Sequence, residues 1–145
     1  MGYLAALAKW NIPQDMRYVA QGDFHRERAY AAMHGLMEQD DPPTAIFAAN
    51  NMTSLGCLRY FHEHGMRLGE DVSLIGFDEI EMLHYSGTAL SVVDRDIYRM
   101  GQDAMHLLIR RIQERAENAD DVCGRQEIFL PTNLVLRGSE KWTGV

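Results

Sequence analysis

The chain has 145 residues, of which 46% are hydrophobic and 24% are charged, the balance of a folded domain rather than of a disordered tail or a fibre. The formal net charge of -7 argues against direct binding of this chain to nucleic acid phosphates or to anionic lipid. Two cysteines, Cys57 and Cys123, are too few for a disulfide framework, and no stretch approaches the roughly 20 apolar residues of a membrane span. We therefore expect a cytoplasmic protein without a membrane segment.

Hydrophobic periodicity predicts strands that alternate with helices along the chain. In chain order, the predicted elements are a helix ending near Trp10, a strand over 17–22, a helix over 26–39, a strand over 45–49, a helix over 52–64, a strand over 72–77, a short helical piece over 80–85, a weak strand over 90–93, a helix over 97–116, and terminal strands over 127–130 and 134–136. This alternation predicts a mostly parallel sheet with right-handed crossovers, and so a doubly wound α/β fold.

The predicted helix over 97–116 is apolar over a wider arc than a surface helix needs. One stripe contains Met100 and Leu107, and a second contains Ile109 and Ile112, so this helix is expected to have partners on more than one side. The first helix follows the start of the chain without a usual capping residue. The start of the chain is expected to be either part of a larger unit or a short frayed N-terminal helix, and the wide apolar arc of the long helix favours the larger unit.

Polar residues follow three of the predicted strands at their carboxyl ends. These residues are Asp23 and Phe24, Asn50 and Asn51, and Asp78 and Glu79. Ligands of open α/β sheets bind outside these ends, and a carboxylate, an amide and an aromatic ring suit a small polar ligand. The alternatives are that one asparagine only caps a helix, that Asp78 only begins a turn, and that Phe24 belongs to the core.

Catalytic and metal-binding functions lack their characteristic patterns. The chain contains no G-x-S-x-G, G-x-G-x-x-G or P-loop sequence. A phosphoacceptor role for Asp78 needs a lysine at a strand end, whereas Lys9 and Lys141 do not end a central strand. His62 and His64 are two positions apart, which sends them to different faces of a helix. We therefore predict a protein that is not an enzyme and that uses no cofactor and no metal.

Several segments resemble the lactose-repressor/galactose-repressor (LacI/GalR) family of bacterial transcription regulators, with the spacing between them maintained. The segments are GYLAAL near the start, QGDF at 21–24, PTAIFAANN at 43–51, SLGCLRYFHEHG at 54–65, EDVSLIGFDE at 70–79, LSVVDRDIYRMG at 90–101 and LPTNLVLRGS at 130–139. The resemblance covers nearly the whole chain and is specific in combination, although GFD alone would be weak.

The resemblance implies a place within a larger regulator. Members of this family have an N-terminal helix-turn-helix and a hinge, followed by an effector-binding core of two subdomains similar to periplasmic sugar-binding proteins. Residues 1–145 then correspond to the C-terminal portion of that core, and residues 97–120 form the long helix that packs on the other subdomain. The DNA-binding domain has no counterpart in this chain, so operator DNA is reached only through a domain that the chain lacks.

The resemblance also implies a binding site for a small-molecule effector, expected to be a sugar. The matching ligand-binding residues are Phe24, Asn50, Asp78, Arg95 and Asp96. The family usually has Asn-Asp where this chain has Asn50 and Asn51, which removes a carboxylate beside the site. A further arginine that contacts the effector in the family precedes the segment at Gly2, and is expected to be missing here.

A homodimer is implied in the same way. The matching interface residues are Leu55, Leu58, Arg59, Met82 and Tyr85, although ordinary core packing explains the two leucines equally well. The expected function is therefore effector binding and dimerisation in a LacI-type regulator that controls transcription allosterically. The main alternative is an exported sugar-binding protein of a transporter, which an upstream signal sequence would identify. A small α/β enzyme is the third possibility, and turnover that depends on Asp78 would support it.

Overall fold

A computed structural model describes residues 2–117 and 124–141. Within them, the helices are α1 (Gly2–Lys9), α2 (Arg26–Met37), α3 (Asn51–Glu63), α4 (Glu81–Ser86) and α5 (Ile97–Glu117), and the strands are β1 (Ala45–Phe47), β2 (Ser73–Phe77), β3 (Ser91–Arg95) and β4 (Thr132–Val135). None of the helices in these two ranges is long and apolar enough to cross a membrane.

The four strands form one mixed sheet in the order β1-β2-β3-β4. The first three are parallel, with Leu74 beside Ile46 and Gly76 beside Val92. The last strand runs antiparallel to β3 and places Leu134 beside Val93. Because α3 connects β1 to β2 and α4 connects β2 to β3, the predicted α/β fold with a mostly parallel sheet is confirmed.

The hydrophobic core lies between α2, α3 and one face of this sheet. Its most deeply buried large side chains are Met33, Phe61, Val72, Leu74, Leu90 and Val92. Alternate residues of β2 face α3, and at Gly76 an added Cβ would lie 2.7 Å from the Ser54 hydroxyl oxygen. Helix and sheet therefore approach closely where glycine provides the room.

Helices α2 and α3 also meet at a glycine. A Cβ added to Gly56 would lie 2.5 Å from the Arg26 carbonyl oxygen and 2.7 Å from the Ala29 Cβ. Further along the same contact, the His34 ring of α2 packs edge-on against the Tyr60 ring of α3, with 4.9 Å between the ring centroids. Close backbone packing at one end and ring packing at the other hold the two helices together.

The predicted strand over 17–22 is wrong. The chain instead forms a 3-10 turn over Met16–Tyr18, and no strand follows in residues 19–22. The Asp15 carboxylate accepts a hydrogen bond from the Arg17 backbone N–H at 2.9 Å and also binds the Arg17 guanidinium. A local side-chain acceptor competes with strand pairing for the backbone, and here the local bonds prevail.

Differences are also found at the C-terminal end. Residues 127–130 form no strand, whereas β4 begins at Thr132, two residues before the predicted 134–136. Pro131, which cannot donate to a ladder, separates the two segments. Of the predicted polar connection over 117–124, residues 118–123 lie outside the described residues, as does Cys123. Near the end of the described residues, Ser139 holds the chain to β2, because its hydroxyl donates to the Leu74 carbonyl at 2.6 Å.

Large apolar side chains of the long helix are exposed in the part of the chain that the structure describes. Leu108 and Ile109 are about half exposed, and Ile112 is 60% exposed. The predicted wide apolar arc is thus present, and its partner on a second subdomain stays a prediction.

Candidate functional site

A groove of about 550 Å³ opens at the carboxyl ends of β2 and β3. Its charged lining residues are Asp78, Glu79, Asp94, Arg95 and Asp96. The remaining lining residues are Asn51, Ile97, Tyr98 and Asn133. Parallel strands direct their carboxyl ends to one edge of the sheet, which is where ligands of open α/β sheets bind.

Two of the lining residues, Asp78 and Arg95, form an ion pair. The Arg95 Nε donates to Asp78 Oδ1 at 2.7 Å, and Nη2 donates to Oδ2 at 3.1 Å. This two-point geometry is the stronger form of an arginine–carboxylate bond, and the hydrogen bonds to Asp78 raise the pKa of Arg95. The guanidinium also lies over the Phe77 ring, 5.4 Å from its centroid.

Asp78 has a left-handed backbone conformation, with φ of +67°. This region is uncommon for residues other than glycine, and aspartate and asparagine are the side chains that enter it most readily. The Asp78 backbone N–H still donates to the Val93 carbonyl at 3.0 Å. The chain therefore turns at Asp78, a residue whose backbone is still hydrogen-bonded to β3. This position places the Asp78 carboxylate beside Arg95.

The two asparagines after β1 have different positions. Asn50 is the N-cap of α3, and its Oδ1 accepts from the Thr53 backbone N–H at 2.8 Å. The expectation that one asparagine caps this helix is therefore confirmed. Asn51, in the first turn, lines the groove, whereas Asn50 is not among the lining residues. The side chain that replaces the usual aspartate of the family is the one at the groove.

Asp96 caps the long helix where it leaves the groove. Its Oδ1 accepts from the Arg99 backbone N–H at 2.8 Å, and its carbonyl accepts from the Met100 N–H at 3.0 Å. These bonds satisfy two donors of the first turn of α5. Asp96 thus has a structural role as well as a place in the lining.

Phe24 is not part of the core and does not line the groove. Its side chain is 66% exposed and its φ is +57°. The preceding residue, Asp23, also has positive φ and forms an ion pair with Arg28. The core alternative for Phe24 is therefore wrong.

Sequence reasoning missed the partner of Glu79. Arg137 donates to the Glu79 carboxylate and to the Leu90 carbonyl, the latter at 2.8 Å, and His84 Nε2 lies 3.2 Å from Glu79 Oε1. Partial burial raises the pKa of Glu79, but the hydrogen bond from Arg137 and smaller contributions outweigh it, so the pKa is lowered overall. Because Arg137 is 58 positions downstream, no local motif pointed to this pair.

The predicted dimer residues fall into two groups. On α4, Met82 and Tyr85 are more than 70% exposed. On α3, Leu58 packs against the core. Arg59 is bonded within the chain, to Glu27 at 2.7 Å and to Glu63 at 2.8 Å, and Leu55 is half-buried. These contacts match the core-packing alternative for Leu58, and the interface itself stays a prediction.

Two features of the described residues bear on metal binding and on nucleophilic catalysis. No group of three histidine, cysteine, aspartate or glutamate side chains among them is arranged to hold a metal ion. Burial raises the pKa of the Cys57 thiol to about 12, so this cysteine remains protonated at neutral pH and is a poor nucleophile.

Comparison with known proteins gives a consistent family. Residues 1–140 match the family described as periplasmic binding protein-like domain. The HTH-type transcriptional repressor PurR of Photorhabdus laumondii subsp. laumondii is 36% identical over 121 residues, which are 83% of this chain and 36% of that protein. The repressor CytR of Escherichia coli K12 is 32% identical over 140 residues, or 97% of this chain and 39% of that protein. The chain thus spans less than two-fifths of these relatives.

Solved structures show the same relationship. A putative transcriptional regulator LacI from Bacillus cereus subsp. cytotoxis has a TM-score of 0.81 and 30% identity over 95% of this chain and 47% of its own. The regulator CelR in complex with cellobiose has a TM-score of 0.82 and 28% identity over 95% of this chain and 40% of its own. A LacI family regulator from Enterococcus faecium with bound ribose has a TM-score of 0.76 and 26% identity, over 97% of this chain and 49% of its own. This chain therefore belongs to the periplasmic binding protein-like domain family, as part of the effector-binding core of the LacI/GalR regulators.

Proposed function

We propose that the groove at the ends of β2 and β3 binds a small-molecule effector, and that the chain is the effector-sensing part of a LacI-type transcriptional regulator. The observation that carries the proposal is the Asp78–Arg95 pair in the lining of that groove. Its position is the one where ligands of this fold bind, and its groups suit hydroxyls, which both donate to a carboxylate and accept from a guanidinium.

A sugar is the effector that the comparisons favour. Two structural neighbours are described with cellobiose and with ribose, and the lining of this groove is rich in polar side chains with one exposed aromatic ring, Tyr98. Asp78 supplies acceptors, and Asn51 and Asn133 supply amides. In addition, the Asn50 side-chain NH₂ and the exposed Phe24 ring are proposed contacts for the outer side of the ligand.

Regulation follows from two-state coupling. An effector that binds one arrangement of the two subdomains more tightly shifts the equilibrium toward that arrangement, and operator affinity changes by the coupling free energy. In this scheme the protein is a cytoplasmic homodimer with contacts at Leu55, Leu58, Arg59, Met82 and Tyr85, and DNA is bound by a separate domain. An exported sugar-binding protein is the alternative, and the coding sequence upstream of Met1 distinguishes a helix-turn-helix from a signal peptide.

The proposal is tested by titration of the isotopically labelled chain with D-ribose and with cellobiose. We expect saturable shifts in the amide resonances of 78–79 and 94–98 for at least one of the two sugars. Asp78→Asn is expected to weaken that binding about 10-fold or more, because it removes a charged acceptor, while asparagine still tolerates the left-handed backbone.

Asp40→Asn is the matched control, since it makes the same chemical change in an exposed loop after α2. It should leave the titration unchanged. Wild-type chain that shows no saturable shift with either sugar, or Asp78→Asn that binds as tightly as the wild type, contradicts the proposal.

A further inference from the structure

We propose that Arg137 is a positioning residue of the groove, which holds the Glu79 carboxylate and thereby fixes the junction of β2 and α4. Glu79 lines the groove, whereas Arg137 lies outside the lining, so Arg137 acts on a ligand only through Glu79. The inference rests on the proposed function where ligand affinity is concerned. The geometry of the junction can be tested without any ligand.

The first step concerns the base from which Arg137 reaches the junction. Its backbone N–H donates to Ser91 Oγ at 2.8 Å, and its Nη1 donates to the Leu90 carbonyl at 2.8 Å. Ser91 is the first residue of β3 and is fully buried. Its own backbone N–H donates to the Ser139 hydroxyl oxygen at 2.7 Å. Backbone and side-chain bonds thus fix Arg137 to the start of β3.

The second step concerns the carboxylate that Arg137 holds. Nη1 donates to Glu79 Oε1 at 3.3 Å, and Nη2 donates to Oε2, which is the two-point form of the arginine–carboxylate bond. Glu79 Oε1 also accepts from the Ile80 backbone N–H at 3.0 Å and lies 3.2 Å from His84 Nε2. This carboxylate therefore joins the start of β3 to the N-cap of α4 and to its last turn.

The third step concerns the other contacts of α4. The helix has only six residues, and its N-cap, Ile80, makes no side-chain capping bond. A helix this short depends on tertiary contacts for its stability. Ile80 and Leu83 pack against the core while staying partly exposed. Removing Arg137 leaves the partly buried Glu79 carboxylate without its arginine, which is unfavourable, so we expect α4 to loosen while the core stays packed.

The first measurement is the set of backbone order parameters from NMR relaxation of the isotopically labelled chain. We expect Arg137→Gln to lower them over 79–84 from about 0.85 toward about 0.6, whereas those of α3 stay at about 0.85. Burial raises the pKa of Glu79 and the hydrogen bond from Arg137 lowers it, so a carboxyl-carbon titration of the same variant should find this pKa above its wild-type value. A uniform loss of stability moves neither signal, because both report on the folded state.

The second measurement is the affinity for the sugar, D-ribose or cellobiose, that the wild-type chain binds. Arg137→Gln should weaken binding about threefold or more, and Arg137→Lys, which keeps the charge but loses the two-point geometry, should weaken it less. The double variant Arg137→Gln/Glu79→Gln should bind as Glu79→Gln does, because residues that act through one another are not additive. Arg17→Gln is the matched control, since it removes an exposed arginine that is also paired with a carboxylate, that of Asp15, and it should change neither measurement.

Unchanged order parameters over 79–84 and an unchanged Glu79 pKa in Arg137→Gln would overturn the inference. A double variant whose loss of affinity is the full product of the two single losses would overturn it as well. If Arg137→Gln does not fold, Glu79→Gln breaks the same pair from the other side and is judged by the same order parameters. Wild-type chain that binds neither sugar contradicts the proposed function, whereas loosened residues 79–84 in the variant still support the positioning role, so the two failures are distinguishable.

Discussion

The α2–α3 region and α5 both contain several large apolar side chains, but they differ in how far these side chains are buried. Under α2 and α3, Met33 and Leu74 are almost fully buried against the sheet. Along α5, Met105 and Ile112 remain more than half exposed, and ion pairs such as Arg110–Glu114 lie within the helix itself. Burial in the core therefore stabilises the first region, whereas α5 is stabilised by its N-cap, by ion pairs within the helix and by polar bonds such as that from Arg111 to the Gly124 carbonyl at 2.9 Å. Substitutions should consequently have very different effects in the two regions.

The largest difference is expected from removing a large side chain. Phe61→Ala should lower the free energy of unfolding by about 3–5 kcal/mol, because it leaves a cavity between α3 and the sheet. Met105→Ala on α5 should change it by less than about 0.5 kcal/mol, since the side chain is mostly exposed. Urea unfolding followed by circular dichroism measures both. Equal losses for the two variants would show that α5 is packed in solution.

Two glycine-to-alanine substitutions are expected to change the free energy of unfolding by smaller amounts, one lowering it and the other raising it. Gly56→Ala should destabilise the chain by about 1–3 kcal/mol, because the new Cβ collides with the backbone of α2. Gly101→Ala, within α5, should stabilise it by about 0.5–1 kcal/mol through helix propensity, because among the described residues only its own helix backbone and chain neighbours come within 4 Å of an added Cβ. Thermal unfolding of both variants checks the signs. A stabilised Gly56→Ala variant would contradict the close helix approach.

The smallest effect concerns pH. The pKa of Glu79 is lowered in the folded chain, so its contribution to stability is present above the unfolded value, near 4.5, and is lost as the pH falls through the folded value. Between pH 7 and pH 3, the free energy of unfolding should therefore fall less in the Glu79→Gln variant than in the wild type. Urea titrations of the two proteins at several pH values measure this difference. Identical pH profiles would argue against the Arg137 pair.

Much of the fold was visible in the sequence because burial leaves a local pattern. The apolar run over 72–77 became β2, and the period-three residues after Asn50 became α3. The prediction failed over 17–22, where the Asp15 carboxylate captures a backbone donor that a strand would have needed. That hydrogen bond is made by a side chain two positions away, and the apolar alternation of the segment carries no sign of it.

The candidate site was only partly predictable. Asp78 stood out because an acidic residue follows a buried strand, and Arg95 and Asp96 were carried over through the resemblance. The fork between Asp78 and Arg95 joins positions 17 apart, and sequence alone gave no sign of it. Nor could the sequence decide which asparagine faces the groove, since that depends on where α3 begins its first turn.

The sequence by itself determined the alternation of strands and helices, the polar carboxyl ends of the strands and the acidic balance, because each depends on neighbouring residues or on composition. Tertiary structure alone decided that Arg95 is bonded to Asp78 and that Arg137 compensates Glu79. Charges separated by 17 and 58 positions interact only after the sheet brings them within about 3 Å.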